Sequence, residues 1–393
     1  MLFMNSRIRL GMVGGGQGAF IGAVHRVAAT MDFQAELVAG AFSATPEKAL
    51  ASGRELGIEQ LRNYRSWQEM AEGEASLPPE HRIEVVSIVT PNASHYAVAK
   101  AFIGAGINVV CDKPMVTSSE QAEELVRMVK NNGVVFGVTY NYTGYPLVRR
   151  AAELVREGKL GKIRKIVVEY HQGWLSSRLE DAAAVGPGVG GQKQAAWRTD
   201  PNQAGVGGAI GDIGSHAENL VSMVTGLKIR SLCADISTFI PGRRLDDDGA
   251  VLLRFEGGAR GTLSVSQVCI GEENNLTLRV YGSEGSLAWR QENPNELFYT
   301  PANGARRTIT RNGAEAGALA AEATRLPPGH PEGFYEAFAN IYRGVFEAIR
   351  AKKEGRARKG LGREFPTVQD GARGVRFIEK VVESSQKGGW VEV

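Results

Sequence analysis

A short glycine-rich segment constrains the fold of this chain more than any other feature of the sequence. Residues 8–22 read IRLGMVGGGQGAFIG, so an apolar run leads into a cluster of glycines and then into a helical stretch. Glycines at a strand-to-helix turn let the backbone approach a pyrophosphate, which the free N–H groups at the helix start can bind. The segment therefore predicts a dinucleotide site on the first strand of a parallel sheet.

The elements that follow support this interpretation. Strands are predicted at 8–13, 36–42, 85–89, 108–111 and 134–140. Helices are predicted between them, among others at 46–57, 94–104 and 118–131. Strands that alternate with helices of ten or more residues indicate a parallel sheet with crossover helices. We expect an N-terminal Rossmann domain over residues 1–142.

The pattern changes in the second part of the chain. A helix at 146–157 precedes a strand at 163–171, a glycine-rich loop at 186–191 and a helix at about 212–225. Further strands are predicted at 229–239, 249–256, 259–268, 275–281 and 285–289, with a hairpin turn at Glu256-Gly257-Gly258. Residues 302–330 are predicted to form a long excursion, and helices at 332–350 and 368–386 close the chain.

This order of elements predicts a second domain. A chain of 393 residues is long for one hydrophobic core, so two domains are expected. The expected fold class is α/β plus α+β: an N-terminal Rossmann parallel sheet and a C-terminal, mostly antiparallel sheet with helices on one face. We expect residues 143–393 to form this second, substrate-binding and oligomerisation domain.

Composition excludes several classes of partner. The 46 basic and 43 acidic residues leave a net charge of +3, which makes no case for nucleic acid or an anionic membrane as the partner. The three cysteines, Cys111, Cys233 and Cys269, suggest neither a disulfide framework nor a zinc site. The sequence shows no signal peptide and no apolar run that could span a bilayer. We therefore predict a cytoplasmic location.

No residue pattern predicts a metal site. His, Asp and Glu do not recur at the spacings typical of metal ligands. Three consecutive acids, Asp246-Asp247-Asp248, lack the rest of a calcium-binding EF-hand loop. We expect these aspartates to form a solvated turn.

The residues of the glycine turn are the first candidates for cofactor contacts. Gly14-x-Gly16-x-x-Ala19 fits the dinucleotide fingerprint with alanine in the last position, and Gly22 could be the residue that lets the helix pack closely. The predicted contacts from this segment are Gly14, Gly16, Gln17, Ala19, Phe20 and Ile21.

The end of the second strand bears on the choice of cofactor. An acid there would bond the ribose 2′-hydroxyl and repel a 2′-phosphate, but this chain has Ser43, which permits NAD or NADP. Lys48 could pair with a phosphate or could be an ordinary surface lysine. The residues alone leave the choice open.

Three further motifs carry a family resemblance. Thr90-Pro91-Asn92-Ala93-Ser94-His95 follows the third strand, Cys111-Asp112-Lys113-Pro114 follows the fourth, and residues 207–216 read GGAIGDIGSH. Together with the glycine turn, these motifs resemble the glucose–fructose oxidoreductase, inositol dehydrogenase and rhizopine catabolism group, the Gfo/Idh/MocA family. The resemblance extends from Ile8 to Trp390. Asp112 replaces the usual glutamate, and Asn219 stands where many members carry a second acid.

The resemblance implies roles for the motif residues. It places the cofactor against Thr90, Pro91, Asn92, His95, Asp112, Lys113 and Pro114, with Lys113 beside the nicotinamide. It implies that Asp212 and His216 face the substrate. It slightly favours NAD over NADP, and it implies a homodimer or homotetramer formed through the outer face of the second sheet.

Alcohol oxidation needs a base for the hydroxyl proton. Asp212 and His216 are four residues apart at a predicted helix start, so they lie on one face. We predict that His216 is the base, that Lys113 polarises the reacting oxygen and that Asp212 orients the imidazole. The roles of His216 and Lys113 could be exchanged.

Other polar and aromatic residues are candidates for substrate contacts, or alternatively for packing contacts. An aromatic ring beneath a pyranose and an arginine on its hydroxyls would suit a sugar. The candidates are Asn141, Tyr142, His171, Trp197 and Arg198.

Three functional hypotheses remain. The leading one is an NAD(P)-dependent oxidoreductase that transfers a hydride between nicotinamide and a ring secondary alcohol of a sugar, glycoside or inositol. The second is a redox-neutral, NAD-dependent glycoside hydrolase that oxidises the sugar transiently and eliminates the glycosidic group. The third is a non-catalytic NAD(P)-binding sensor.

Overall fold

The computed structural model describes residues 7–181, 192–356 and 365–393. The glycine-rich loop expected at 186–191 lies outside the described residues. Two compact units form, and each contains segments that are distant in sequence. The first unit comprises Met1–Val116, Glu120–Gly144 and Phe334–Ala372, and the second comprises Thr117–Ser119, Tyr145–Gly333 and Arg373–Val393.

A parallel sheet of five strands, counted over the described residues, organises the first unit. The strands are β1 (Ile8–Gly14), β2 (Ala35–Ala41), β3 (Val85–Val89), β4 (Asn108–Cys111) and β5 (Phe136–Val138). Their order is β2-β1-β3-β4-β5, and every neighbouring pair is parallel. All five residues of β3 are buried, as expected for a strand covered on both faces. The predicted Rossmann sheet is confirmed.

Helices connect these strands. They are α1 (Phe20–Thr30), α2 (Pro46–Glu55), α3 (Trp67–Ser76), α4 (Asn92–Gly104) and α5 (Ser119–Asn132), with short 3₁₀ turns at Gln60–Arg62 and Asn141–Gly144. The sequence did not predict α3, which has few buried residues. Its start is set by Ser66, whose Oγ accepts a hydrogen bond from Glu69 N at 3.2 Å.

A sheet of nine strands, again counted over the described residues, organises the second unit. The strands are β6 (Ile163–His171), β7 (Ile229–Ser237), β8 (Asp248–Phe255), β9 (Arg260–Ser266), β10 (Asn275–Gly282), β11 (Gly285–Arg290), β12 (Glu296–Pro301), β13 (Arg307–Thr310) and β14 (Val391–Glu392). Their order is β13-β12-β11-β10-β6-β9-β8-β7-β14. Only β6 and β9 pair in parallel among these strands, so the predicted mostly antiparallel sheet is confirmed.

One prediction for this sheet is confirmed and another is partly wrong. The hairpin turn at 256–258 is confirmed, because β8 and β9 pair antiparallel across it. The long excursion at 302–330 is partly wrong, because β13 and a short helix at Ala318–Ala323 lie within it. That strand is short and at the sheet edge, and only Ile309 in it is buried, so its sequence carries little apolar alternation.

The remaining helices lie between strands in chain order, before β6, between β6 and β7, and between β13 and β14. They are α6 (Pro146–Arg156), α7 (Gln192–Arg198), α8 (Pro201–Ala204), α9 (Ser215–Thr225), α10 (Ala318–Ala323), α11 (Phe334–Lys353) and α12 (Val368–Lys387). A single π-helical turn at Ile210–Gly214 leads directly into α9. Such wide turns are frequent at functional sites.

Helix α11 belongs to the first unit although it comes late in the sequence. Its apolar stripe, which includes Phe338, Tyr342 and Val345, packs with Val24 of α1 and Leu10 of β1 in one buried cluster. The expected second domain, residues 143–393, includes residues 334–372. In the structure these residues belong to the first compact unit instead. The amphipathic pattern of α11 predicts a helix with one buried face, but it does not say which sheet that face covers.

Candidate active site

The glycine turn between β1 and α1 has the backbone that its sequence predicts. Gly14, Gly15 and Gly18 have positive φ values of 81°, 71° and 73°. A Cβ atom at Gly22 would lie 2.3 Å from both Cα and O of Gly15, so α1 can pack on the turn only because residue 22 is glycine. The expected packing role of Gly22 is confirmed.

Side chains around the turn fix its backbone and add positive charge. Gln17 N donates to Ser52 Oγ at 3.1 Å, and Arg26 Nη1 donates to Gly15 O at 2.6 Å. A cleft of about 450 Å³ opens beside the turn and is lined in part by Gly16, Phe20 and Arg26. Free amides at a helix start and a nearby arginine are what a pyrophosphate needs, so these residues fit a dinucleotide.

The end of β2 lies beside the same turn, because Gly16 N donates to Phe42 O at 3.1 Å. Ser43 follows Phe42, and its Oγ accepts a hydrogen bond from Thr45 N at 3.1 Å. Ser43 and Lys48 are both half-buried. No carboxylate follows β2 directly, so the structure keeps both cofactors chemically possible at this position.

His95 ties together the two loops that follow β3 and β4. Its side chain is buried, with Nδ1 at 2.9 Å from Pro114 O and Nε2 at 2.8 Å from Thr90 O. Burial lowers the pKa of His95. Asn92 is buried at the start of α4, whereas Pro91 is exposed. His95 therefore holds the predicted cofactor loops in place.

Asp112 shapes the turn that carries Lys113. Its Oδ1 accepts hydrogen bonds from Lys113 N at 3.0 Å and from Thr139 Oγ1 at 2.7 Å. Thr139 follows β5, the strand next to β4, so the carboxylate joins two adjacent strand ends. The Lys113–Pro114 peptide bond is cis. The carboxyl ends of parallel strands are where such sheets bind ligands.

Asn141 and Tyr142 lie in the 3₁₀ turn that follows β5. Both are buried, at 2% and 5% exposure. The ring of Tyr142 lies 6.5 Å from that of Phe334, within the first unit. A packing role is thus visible for Tyr142, and substrate contact by either residue stays a prediction.

The structure brings together three of the predicted substrate residues in the second unit, Trp197, Arg198 and Asp212. Arg198 Nε donates to Asp212 Oδ2 at 3.2 Å, and Gln267 Nε2 donates to the same oxygen at 2.9 Å. The guanidinium carbon of Arg198 also lies 4.2 Å above the ring of Trp197. Asp212 lies in the π-helical turn, and His216 lies in the first turn of α9. The cluster is a polar surface with an aromatic ring at its side.

His216 lies on the buried face of the second sheet. It is 7% exposed, and its ring is edge-on to that of Tyr170 of β6, with 6.3 Å between centroids. His171 is the next residue of β6 and points to the opposite face, where its Nε2 lies 3.0 Å from Ser264 Oγ. The structure therefore does not place His171 with His216.

The expectation of a solvated turn at residues 246–248 is wrong. Asp246 and Asp247 are 6% and 0% exposed. Asp246 accepts hydrogen bonds from Gly208 N at 2.6 Å and from Ile210 N at 2.8 Å, so it fixes the start of the π-helical turn that carries Asp212. Burial raises the pKa of Asp246. Polar residues that cap a buried turn look the same in sequence as polar residues in solvent.

Gly208 makes this arrangement possible. A Cβ atom at that position would lie 2.0 Å from Asp246 O. Asp247 is held separately, by hydrogen bonds from Phe239 N at 2.8 Å and from Arg243 Nη1 at 3.1 Å. The two aspartates thus act as buried acceptors.

Gln267 was missed by the sequence-based prediction. It is 2% exposed and follows β9, where Leu263 and Val265 are buried. The alternation of that strand makes residue 267 the next inward position. A polar residue at an inward position was therefore the available signal for its contact with Asp212.

Two negative findings concern the described residues. Within 7–181, 192–356 and 365–393, no group of three or more His, Cys, Asp or Glu is arranged to hold a metal ion. No helix in this same part of the chain is both long and apolar enough to cross a membrane.

Known protein families match both units. Residues 8–140 match the oxidoreductase family with a NAD-binding Rossmann fold, and residues 148–288 match the GFO/IDH/MocA C-terminal domain. A solved oxidoreductase from Sinorhizobium meliloti is 45% identical, with a TM-score of 0.86 over 98% of this chain and 100% of that one.

Two further relatives are named as a dehydrogenase, or a dehydrogenase homologue, of a particular compound. An inositol dehydrogenase homologue from Azotobacter vinelandii, solved with NAD⁺, is 34% identical, with a TM-score of 0.92 over 99% of this chain and 98% of that one. The same homologue was also solved with NADH and myo-inositol. A levoglucosan dehydrogenase from Pseudarthrobacter phenanthrenivorans is 26% identical over 98% of both chains. A levoglucosan dehydrogenase has also been solved with NADH and levoglucosan.

Proposed function

This chain belongs to the GFO/IDH/MocA oxidoreductase family, and we propose that it oxidises a ring secondary alcohol of a sugar, glycoside or inositol with NAD as the hydride acceptor. The chain is a NAD-binding oxidoreductase by family. Its class of substrate, its preference for NAD over NADP and the residues that act are what we propose.

The observation that carries the proposal is the cluster of Asp212, Arg198 and Gln267. Two donors engage one carboxylate oxygen, and Trp197 lies against the arginine. Clustered donors and acceptors beside an aromatic ring suit a compound with several hydroxyls and an apolar ring face. The relatives solved with myo-inositol and with levoglucosan support this class, because both compounds are cyclic polyols.

The proposed chemistry assigns one task to each of three residues. His216 takes the proton of the reacting hydroxyl, since a neutral imidazole is a good base near neutral pH. The Lys113 ammonium donates a hydrogen bond to the same oxygen as negative charge develops on it. Asp212, held by Arg198 and Gln267, orients the imidazole or a second substrate hydroxyl. Bound NAD supplies the hydride acceptor.

Two alternatives keep the cofactor site. A redox-neutral glycoside hydrolase would use the same lysine, histidine and aspartate and would return the hydride to the sugar. A sensor would bind NAD without turnover. A location in the cytoplasm and a homodimer or homotetramer remain predictions as well.

Absorbance at 340 nm tests the proposal. Purified protein is incubated with NAD or NADP and a panel that includes myo-inositol, levoglucosan and several pyranosides, and the products are analysed on the same samples. We expect NADH to accumulate with at least one cyclic polyol. Aglycone release without a rise in absorbance would establish the hydrolase. Tight NAD binding without any product from the panel would support the sensor.

A further inference from the structure

A chain of three buried polar side chains lies in the core of the first unit. Ser87 Oγ is 2.7 Å from Tyr342 Oη, and Tyr342 Oη is 2.7 Å from His25 Nδ1. Ser87 and His25 are 0% exposed and Tyr342 is 1% exposed. Buried polar groups are costly unless they are paired, and phenylalanine could occupy the space of Tyr342 without needing a partner. Packing therefore does not account for the hydroxyl.

The far side of the His25 ring faces the turn that carries Lys113. His25 Nε2 is buried, has no hydrogen-bond partner among the described residues, and lies 4.0 Å from Asp112 Oδ1. This distance is longer than a hydrogen bond, but in a buried site it is short enough for an N–H dipole to act on a carboxylate. Burial lowers the pKa of His25 to about 4, so the imidazole is neutral and carries a single N–H at neutral pH.

The position of that one proton follows from the neighbours of the ring. Asp112 lies near Nε2, and both Tyr342 Oη, at 2.7 Å, and Ser87 Oγ, at 3.3 Å, lie near Nδ1. With the proton on Nδ1, the Nε2 lone pair would face the Asp112 carboxylate, which is electrostatically unfavourable. With the proton on Nε2, the N–H lies on the side of the ring near Asp112 Oδ1, and Nδ1 can accept a hydrogen bond from Tyr342 Oη. Ser87 Oγ can then donate to Tyr342 Oη, so every hydroxyl proton in the chain has an acceptor.

We propose that Tyr342 is a positioning residue for the turn that carries Lys113. Its hydroxyl donates to His25 Nδ1 and so keeps the imidazole proton on Nε2, where the N–H dipole acts on Asp112. The Asp112 carboxylate in turn accepts the hydrogen bond from Lys113 N. The effect on turnover rests on the proposed role of Lys113, whereas the position of the proton does not. Helix α11 thus positions the turn that carries Lys113, in addition to packing its apolar stripe in the core of the first unit.

Nitrogen-15 NMR of histidine-labelled protein tests the tautomer directly. The two ring nitrogens of a neutral imidazole differ widely in chemical shift according to which one carries the proton. The His25 signals are identified by their loss in His25→Gln or, if that variant does not fold, by substitution of the other five of the six histidines. We expect the Nε2–H form in the unmodified protein. An Nδ1–H form would overturn the proposal.

Kinetics of Tyr342→Phe test the consequence for the site. We expect kcat for the polyol to fall about five- to tenfold, the effect of roughly one hydrogen bond, while KM and the calorimetric Kd for NAD stay within about twofold. The matched control is Tyr299→Phe, which removes another buried hydroxyl, bonded to Lys159 O at 3.3 Å in the second unit. An equal loss of kcat in both variants, or no loss in Tyr342→Phe, would contradict a positioning role.

A double variant separates positioning from a general loss of stability. If Tyr342 acts through Asp112, adding Tyr342→Phe to Asp112→Asn should change kcat by less than about twofold, because the acceptor of the dipole has lost its charge. Fully additive effects would overturn the proposal. Absence of any dehydrogenase activity would refute the proposed function. The NMR measurement of the His25 tautomer would still test whether the Tyr342 hydroxyl keeps the proton on Nε2.

Discussion

Arg198 Nε donates to Asp212 Oδ2 at 3.2 Å, so the π-helical turn that carries Asp212 is connected to α7 by a charged hydrogen bond. The same oxygen accepts from Gln267 Nε2 at 2.9 Å. Two donors from separate elements hold the carboxylate in one orientation. The guanidinium is itself held against the ring of Trp197.

Arg198→Lys should therefore weaken substrate use without affecting the cofactor. Lysine keeps the charge but loses the planar group that both stacks on Trp197 and donates from Nε. We expect kcat/KM for the polyol to fall about 10- to 100-fold, mainly through KM, with the Kd for NAD unchanged. The control is Arg244→Lys, at an exposed arginine paired with Asp200, which should be neutral. Equal losses of kcat/KM in the two variants would show that Arg198 does not contribute to the substrate site.

Gly22→Ala should impair cofactor binding. The added Cβ atom would lie 2.3 Å from Gly15, so α1 and the turn must separate. We expect the Kd for NADH, measured by fluorescence titration, to rise at least about tenfold, equivalent to about 1.4 kcal/mol. Gly104→Ala, in α4 of the same unit, has open space at the Cβ position and should bind NADH normally. Unchanged affinity in Gly22→Ala would show that the close packing of the turn is not needed.

Ser43→Asp should sharpen the choice between cofactors. A carboxylate directly after β2 would accept a hydrogen bond from a ribose 2′-hydroxyl and repel a 2′-phosphate. We expect the ratio of kcat/KM for NAD to that for NADP to rise at least about tenfold relative to the unmodified enzyme. Ser43→Ala serves as the control for loss of the hydroxyl. An unchanged ratio would mean that residues other than Ser43 recognise the ribose 2′ position.

His25 should make stability depend on pH. Burial lowers its pKa in the folded protein from 6.5 to about 4, so between these values the unfolded chain binds more protons and stability falls as pH falls. The shift in the pKa of His25 corresponds to about 3 kcal/mol of unfolding free energy, which is lost as the pH falls from 6.5 to about 4. The loss of unfolding free energy caused by His25→Gln, measured in urea, should therefore be smaller at pH 4 than at pH 7. A loss of the same size at pH 4 and at pH 7 would contradict this expectation.

Much of the fold could be predicted from the sequence because its signals are local. The bounds of β3, β4 and β6 agree with the predicted strands, since each is a compact run with clear limits. The packing of α11 was not predictable in the same way. Its apolar stripe indicates a buried face, but burial against α1 depends on contacts between residues more than 300 positions apart, such as His25 and Tyr342.

The candidate site likewise contains residues that local motifs predict and residues that they do not. Motifs identified Asp112, Lys113, Asp212 and His216, because these residue types recur at fixed distances from recognisable turns. Gln267, which contacts Asp212, and Asp246, which fixes the start of the turn that carries Asp212, come from other parts of the chain. Aspartates 246 and 247 even suggested the wrong environment, because a run of acids is normally solvated.

Transfer of deuterium from a labelled substrate tests the central claim most directly. A cyclic polyol that supports NADH formation is labelled at the reacting carbon, and the reduced cofactor is examined by mass spectrometry. Direct hydride transfer predicts one deuterium in each reduced nicotinamide, formed at a rate lowered at least about 100-fold in Lys113→Ala and in His216→Ala. Oxidised product without deuterium in the cofactor, or undiminished rates in both variants, would contradict the account.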